Sequence, residues 1–425
     1  MKKPFTVATF AVPLSGNKGS VSMLLGLMES FEKNNIDTHY HVFSYYPKID
    51  REKAVPLNKV TVHNGHPKDL FFALLPGILF PNLPFLTSKK TKMAIKAIQD
   101  ADYALMVGGT TFSDAMVFKS IWNMLAAIPA QLLKKRVVFV SQTIGPARNL
   151  MNYGLAKWTL KKAAIVHGRG RMSANWASKI INRTVEYRPD LSFSMKVPEW
   201  ETVWPQHELL GALHHKLRQG EAIGVAPNTI VYEKCKKTKI DYVSFLVKAI
   251  HEIDKAGYLP VLIPHSYRQN SLRLHNNDRS LCIKVMKQIK GRVPCFYLDD
   301  DFSPEFLRAV IGKMKLLVAS RFHSMISALA MEVPPLTYGW GGQKYMEVLF
   351  EFDCEELYYS FAEIDQAEFS AQLTMALKNY QQVKNSIARA LPKIVSESEK
   401  LAIELYAQNE EQQIKPLKIE EKKQV

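Results

Sequence analysis

Short apolar runs alternate along the chain with stretches whose apolar positions recur every three or four residues, and a polar or glycine-bearing segment follows nearly every run. Runs of this length predict buried strands, and the longer period predicts helices. Residues 4–12, 38–45, 103–107, 136–140, 164–167 and 185–187 read as strands of a first block. Residues 222–226, 258–263, 295–298, 316–319 and 335–338 read as strands of a second. Helical patterns fill the gaps, as at 21–33 (with Ser20 as N-cap), 242–255 and 304–313. Between the blocks, residues 196–207 carry two prolines and no period, which marks a linker. Two successive strand–helix blocks predict an α/β chain of two doubly wound, Rossmann-like domains, at 1–195 and 208–405. Because the polar segments fall at strand C-termini, both sheets are expected to aim them at one central cleft. From residue 406, and most plainly from Asn409, the chain turns polar and charged and is expected to be a disordered tail.

Residues 69–87 (DLFFALLPGILFPNLPFLT) are long enough to suggest a membrane span, but Pro76, Pro81 and Pro84 would break a helix there. Lysines at 89, 90 and 92 follow directly. The stretch reads either as an apolar lobe that meets the headgroups of an anionic leaflet or as an insertion packed on its own domain. The N-terminal apolar run carries Thr6 and Thr9 and stops at Pro13, so a first strand is expected rather than a signal peptide.

At 425 residues, 47% hydrophobic and 23% charged, the chain has the makeup of a globular protein of more than one domain. Its four cysteines show no C-x-x-C spacing, so neither a disulfide framework nor a zinc site is indicated, and a cytoplasmic setting fits, with peripheral contact at the inner face of a membrane. The net charge of +16 suits an acidic ligand or an anionic surface. No helix-turn-helix, zinc finger or RNP-like signature points to nucleic acid.

Candidate chemistry concentrates in residues 316–344, LLVASRFHSMISALAMEVPPLTYGWGGQK. Arg321 and His323 lie where a strand ends and a helix begins, a place suited to an anion. Arg321 adds a fork matched to carboxylate or phosphate, and His323 can move protons near neutral pH. The plain alternative is a solvated Arg beside a half-buried His. The strand–loop–helix at 4–33 lacks both GxGxxG and a Walker lysine, and His39 and His41, which share a strand face, are expected to be structural or exposed.

Taken in order, the strand-end loops resemble the polysaccharide pyruvyl transferase family. The residues that carry the resemblance are Asn17-Lys18-Gly19-Ser20, Gly108-Gly109 with Asp114, and Gln142-Thr143-Ile144-Gly145-Pro146. Arg169-Gly170-Arg171-Met172-Ser173, Pro189-Asp190, and Ser320-Arg321-Phe322-His323 with Lys344 complete the set. In three places the chain departs from the family pattern: Ser20 and Gly170 replace aspartates, and Thr110 stands where a third glycine is usual.

The resemblance implies a two-domain, GT-B-like enzyme that transfers a pyruvyl group from phosphoenolpyruvate, as co-substrate, to sugar hydroxyls of a free or lipid-linked saccharide, forming a ketal; no cofactor is expected, and no ligand cluster indicates a metal. It implies Arg321 and Arg169 as anion clamps, assisted by the helix N-terminus at Phe322, with Lys344 against phosphate and His323 as general acid and base. Asn17, Gly19, Gly108, Gly109 and Gln142 become loop contacts to donor or acceptor. Asp114 is the remaining carboxylate for an acceptor hydroxyl, or else an N-cap for a helix starting at 115. Asp190 and His265 stand at strand ends, and His265 also reads as a loop cap. Two other functions stay open: a nucleotide-sugar glycosyltransferase on the same architecture, and a non-catalytic relative that has lost two carboxylates.

Overall fold

The computed structural model describes residues 4–81, 88–114, 117–206, 208–268, 277–362 and 368–421. It divides into two units, Met1–Ser15 with Met23–Ser194 and Val395–Val425, and Gly16–Ser22 with Met195–Ile394. In the first, strands β1 (Phe5–Phe10), β2 (Thr38–Ser44), β3 (Val60–Asn64), β4 (Tyr103–Met106), β5 (Arg136–Gln142), β6 (Ile165–Gly168) and β7 (Glu186–Tyr187) form one sheet. Its order is β3-β2-β1-β4-β5-β6-β7, and every pairing is parallel. In the second, β8 (Ala222–Ala226), β9 (Leu259–Leu262), β10 (Phe296–Tyr297), β11 (Leu316–Ala319), β12 (Pro335–Gly339) and β13 (Tyr358–Ser360) follow the order β10-β9-β8-β11-β12-β13, again all parallel. Both orders reverse direction beside their first strand, between β1 and β4 and between β8 and β11. At such switch points the strand-end loops diverge and leave a crevice for ligands.

The first sheet is buried on both faces, which is why its strands read as nearly continuous apolar runs. Ala8 and Phe10 of β1 join one core with Ala104, Phe139 and the helices Lys89–Asp100, Val117–Leu132, Leu150–Lys161 and Arg171–Ile181. Phe5 and Val7 point the other way, to a core with Leu24, Leu27, Phe31, Leu401, Ala402 and Leu405. The last three residues belong to a helix spanning Tyr380–Glu421.

That helix alters the expected C-terminal boundary. Residues 406–421 are helical rather than a tail, and from Val395 the helix counts with the first unit. Arg188 pairs with Glu397 and Glu404, Lys33 with Glu399, and Arg136 donates to Gln408. The polarity of this stretch is that of a helix with one apolar stripe, not of an unstructured chain.

The apolar segment also departs from expectation. Helix Pro67–Asp69, a π turn at Leu70–Leu74 and helix Leu75–Leu79 follow one another directly, and the π turn falls just before Pro76, which has no amide hydrogen to continue the regular ladder. Leu70 and Leu74 enter the core, whereas Phe71, Phe72, Leu79 and Phe80 are exposed. Pro84 and the rest of residues 82–87 lie outside the described residues.

Candidate functional site

The residues singled out in 316–344 converge in the second unit. Strand β11 ends at Ala319, and Arg321 occupies the N-cap position of helix Phe322–Leu329. The Arg321 guanidinium reaches across the switch point instead of into solvent. Its Nε and Nη2 donate to Asp278 at 2.8 and 2.6 Å, and Nη2 also donates to Thr229 Oγ1 at 3.0 Å. Thr229 returns its own amide to Asp278 at 3.0 Å, and the Asn228 amide donates to the Ser320 carbonyl at 2.9 Å. Loops after β8 and β11 are thereby locked together around a fully buried carboxylate. The two-pronged contact expected for a ligand is here made to Asp278. A buried pair of this kind fixes orientation more than it adds stability.

Residues 16–22, expected in the N-terminal domain, count with this second unit. Asn17 caps helix Lys18–Lys33: its Oδ1 accepts from Gly19 N at 3.1 Å, and its carbonyl accepts from Ser20 N and Val21 N. The helix therefore starts earlier than predicted, with Asn17 rather than Ser20 at its cap. Asn17 also bridges to Ser266, and Lys18 N donates to the His265 carbonyl at 3.3 Å. The buried Lys18 ammonium pairs with Asp301. Gly19 lies flat on the His323 ring, where a Cβ would come within 2.2 Å of Cγ and Nδ1, so only glycine fits. Two motifs some three hundred residues apart in the sequence thus form one site.

His265 is fully buried behind this loop. Burial, followed by the positive charge of His323, Arg321, Arg308 and Lys18, holds its imidazole well below the usual histidine range. It is neutral at pH 7. Lys344 stands over the Phe322 ring at 5.5 Å and over Tyr345 at 5.0 Å, while Tyr345 donates to the Ser320 carbonyl at 3.0 Å. Asn17, Gly19, His265, Arg321, Phe322, His323 and Lys344 therefore share one neighbourhood. Lys18, Thr229, Asp278, Asp301 and Arg308 complete it. None of these five was singled out as a site residue in the sequence, although Lys18 lies within a quoted motif and Thr229 and Asp301 follow predicted strands.

The first unit repeats the same device with different residues. Arg169, just past β6, is buried and donates through Nη1 to Asp190 at 3.0 Å and through Nε and Nη2 to Thr143 Oγ1 at 3.1 and 2.6 Å. Asp190 in turn accepts from the amide and hydroxyl of Ser192. Gly109 lies against the guanidinium, with a Cβ 2.6 Å from Nη1, and Gly108 lies against Ala11 at the β1/β4 switch point. In both units an arginine at a strand end is thus held by an aspartate and a threonine from adjacent loops. Gln142 turns inward: its Nε2 donates to the Met106 and Val140 carbonyls at 2.7 Å each, so it braces strands and does not line a surface.

Asp114 is the residue whose surroundings differ most from expectation. Its carboxylate accepts from Arg148 N at 2.6 Å, from Asn149 N at 3.3 Å and from Asn152 Nδ2 at 2.9 Å. It therefore staples the start of helix Leu150–Lys161. Burial works against its charge, but the bonds from Asn152, Arg148 and Asn149 outweigh that and hold the carboxyl below its usual value. This bonding gives Asp114 a structural part at that turn. Among the described residues, no three His, Cys, Asp or Glu side chains are grouped to hold a metal ion.

A family model described as polysaccharide pyruvyl transferase matches residues 17–342. No curated protein matches the chain. Among solved structures, Staphylococcus aureus MnaA with UDP has a TM-score of 0.60 at 10% identity, over 96% of this chain and 98% of its own. UDP-GlcNAc 2-epimerase from Neisseria meningitidis, bound to UDP-GlcNAc, scores 0.55 at 10% identity over 95% and 99%. A UDP-forming α,α-trehalose-phosphate synthase from Burkholderia vietnamiensis scores 0.55 at 11% identity over 96% and 97%. At these identities the likeness shows the fold, two Rossmann-like domains of the GT-B-like class, and nothing finer.

Proposed function

The chain belongs to the polysaccharide pyruvyl transferase family, and from that premise we propose that it transfers a pyruvyl group from phosphoenolpyruvate to two hydroxyls of a saccharide, closing a pyruvate ketal. One observation carries the reading: at the end of β11, His323 is held against Gly19, with Arg321 at the start of the same helix and Lys344 over the neighbouring Phe322 ring. Phosphoenolpyruvate brings a carboxylate and a phosphate, and such surroundings favour both.

The reaction begins with a proton delivered to the methylene carbon, which leaves positive charge on the carbon bearing the phosphate ester. One sugar hydroxyl adds there, phosphate departs with the C–O bond electrons, and a second hydroxyl closes the ring. The protons lost by the two hydroxyls balance the one placed on the methyl group and the one carried away by phosphate. His323 delivers the first proton and then receives one from an incoming hydroxyl. His265 is excluded from this role, because it is fully buried and held neutral. Arg321, immobilised by Asp278 and Thr229, and Lys344 stabilise the donor's charges.

The test is phosphate release from phosphoenolpyruvate with a panel of glycans. His323→Ala is expected to fold normally and to lose turnover by about a hundredfold or more. Unchanged transfer by that variant removes the assignment. A second reading takes support from the fold neighbours that carry UDP or UDP-GlcNAc, namely use of a nucleotide sugar. Protection from thermal unfolding by UDP, without protection by phosphoenolpyruvate, favours it instead.

A further inference from the structure

The chain's positive charge is not spread evenly. Residues 70–185 carry sixteen lysines and arginines against three acids (Asp100, Asp102 and Asp114), which accounts for most of the net +16. The helices of this stretch cover one face of the first sheet, joined by the Leu70–Leu79 segment. The helix on the opposite face has the reverse balance: residues 395–411 hold five glutamates and one lysine.

The outer side of the basic layer is also apolar. Phe72 is 73% exposed, Leu79 57%, Phe80 53% and Leu150 88%. Trp122 and Trp158 are exposed in the same layer, and Lys162 lies 3.8 Å over the Trp158 ring. Lys68 precedes Phe72 in the same helical run, and Lys89, Lys90, Lys92 and Lys96 lie on the helix Lys89–Asp100 that packs against that run; all five are exposed. Exposed rings and aliphatic side chains bordered by lysine are costly in water and are matched by a surface with anionic heads over hydrocarbon. Among the described residues no helix is long and apolar enough to cross a membrane, so such a contact lies on the bilayer and does not span it.

We propose that this helical layer of the first unit docks on an anionic lipid surface, with Phe72, Leu79 and Phe80 entering the headgroup boundary and the lysines at 68 and 89–96 meeting lipid phosphates. A duplex nucleic acid satisfies the charge but gives Leu79, Leu150 and the phenyl rings nothing apolar to enter. The contact holds the protein where a lipid-carried saccharide is presented, yet it needs neither donor nor acceptor. Its test is therefore independent of the pyruvyl transfer reading.

The experiment is flotation of the full chain with vesicles of phosphatidylcholine alone or of phosphatidylcholine with phosphatidylglycerol. Binding is expected only with phosphatidylglycerol, weakening as salt rises, with a blue shift of tryptophan emission. Lys89→Ala and Lys92→Ala should each weaken it by about fivefold. Phe72→Ser with Phe80→Ser should remove the salt-resistant part of the binding while leaving the melting temperature unchanged, since both side chains are exposed. Four results overturn the proposal: no flotation with either vesicle, equal flotation with both, binding indifferent to the Phe72 and Phe80 changes, or self-association through those residues without lipid. Tighter binding to duplex DNA than to the anionic vesicles also overturns it and reassigns the layer to nucleic acid.

Discussion

Gly19 and His323 are in van der Waals contact so close that a methyl group on Gly19 would lie 2.2 Å from the ring and 2.5 Å from the His323 Cβ. Rotating the ring does not relieve an overlap that reaches its root. Gly19→Ala should therefore displace His323 and lower turnover by about a hundredfold, because misplacement on the ångström scale costs that much. The accompanying loss of stability should be about 1–3 kcal/mol. Steady-state phosphate release and denaturant unfolding read the two effects separately. Wild-type turnover in Gly19→Ala would mean that the position of His323 is immaterial.

The Arg321–Asp278 pair predicts an asymmetry. Asp278→Ala strands a buried guanidinium and should cost about 3–5 kcal/mol in urea unfolding. Asp278→Ala combined with Arg321→Met should recover most of that loss, because no lone charge is left inside, yet turnover should stay absent. Recovery of activity in the double variant argues that Arg321 does not touch the donor.

Asp114→Asn separates a structural part for Asp114 from a chemical one. If the carboxylate serves only the Arg148–Asn152 turn, the amide should cost about 1 kcal/mol and leave turnover within a few-fold of the original. A loss of several hundredfold at unchanged stability returns Asp114 to the chemistry.

The histidine stack on the first sheet sets a pH limit. His63 Nε2 lies 3.2 Å from His41 Nδ1, and His39 packs on His41. Burial first, then neighbouring His63 and His39 for His41, and Arg51 and His39 for His63, bring both imidazoles down to about 4. Since the unfolded chain takes up these protons near the ordinary histidine value, around 6.5, stability should be complete above it and fall as pH drops from there through about 4. Urea midpoints measured across that range should decline less steeply in His41→Gln with His63→Gln. An equal slope would place the acid sensitivity elsewhere.

The sequence pattern carried the central strands well, because runs such as Leu316–Ala319 and Ala222–Ala226 are buried on both faces and admit little but apolar residues. It missed β3 and β13, two of the four edge strands, whose half-buried positions mix polar and apolar residues as loops do. Arg321, His323 and Gly19 were visible from motif order. Asp278 was not: it opens a helix far from any strand end, and only the folded chain brings its carboxylate under Arg321. Likewise, the fork of an arginine is legible in sequence, but whether it grips a ligand or a neighbouring aspartate is a matter of distance.

The helix Tyr380–Glu421 begins among residues of one unit and finishes in the core of the other, where Leu401 and Leu405 close the first sheet. Severing the gene at the 195–208 junction would therefore not give two autonomous halves. The leading fragment would expose a bare hydrophobic trough, and the trailing one would carry an orphaned greasy stripe with nothing to seat it. Expressed together, the two pieces should find each other and reassemble.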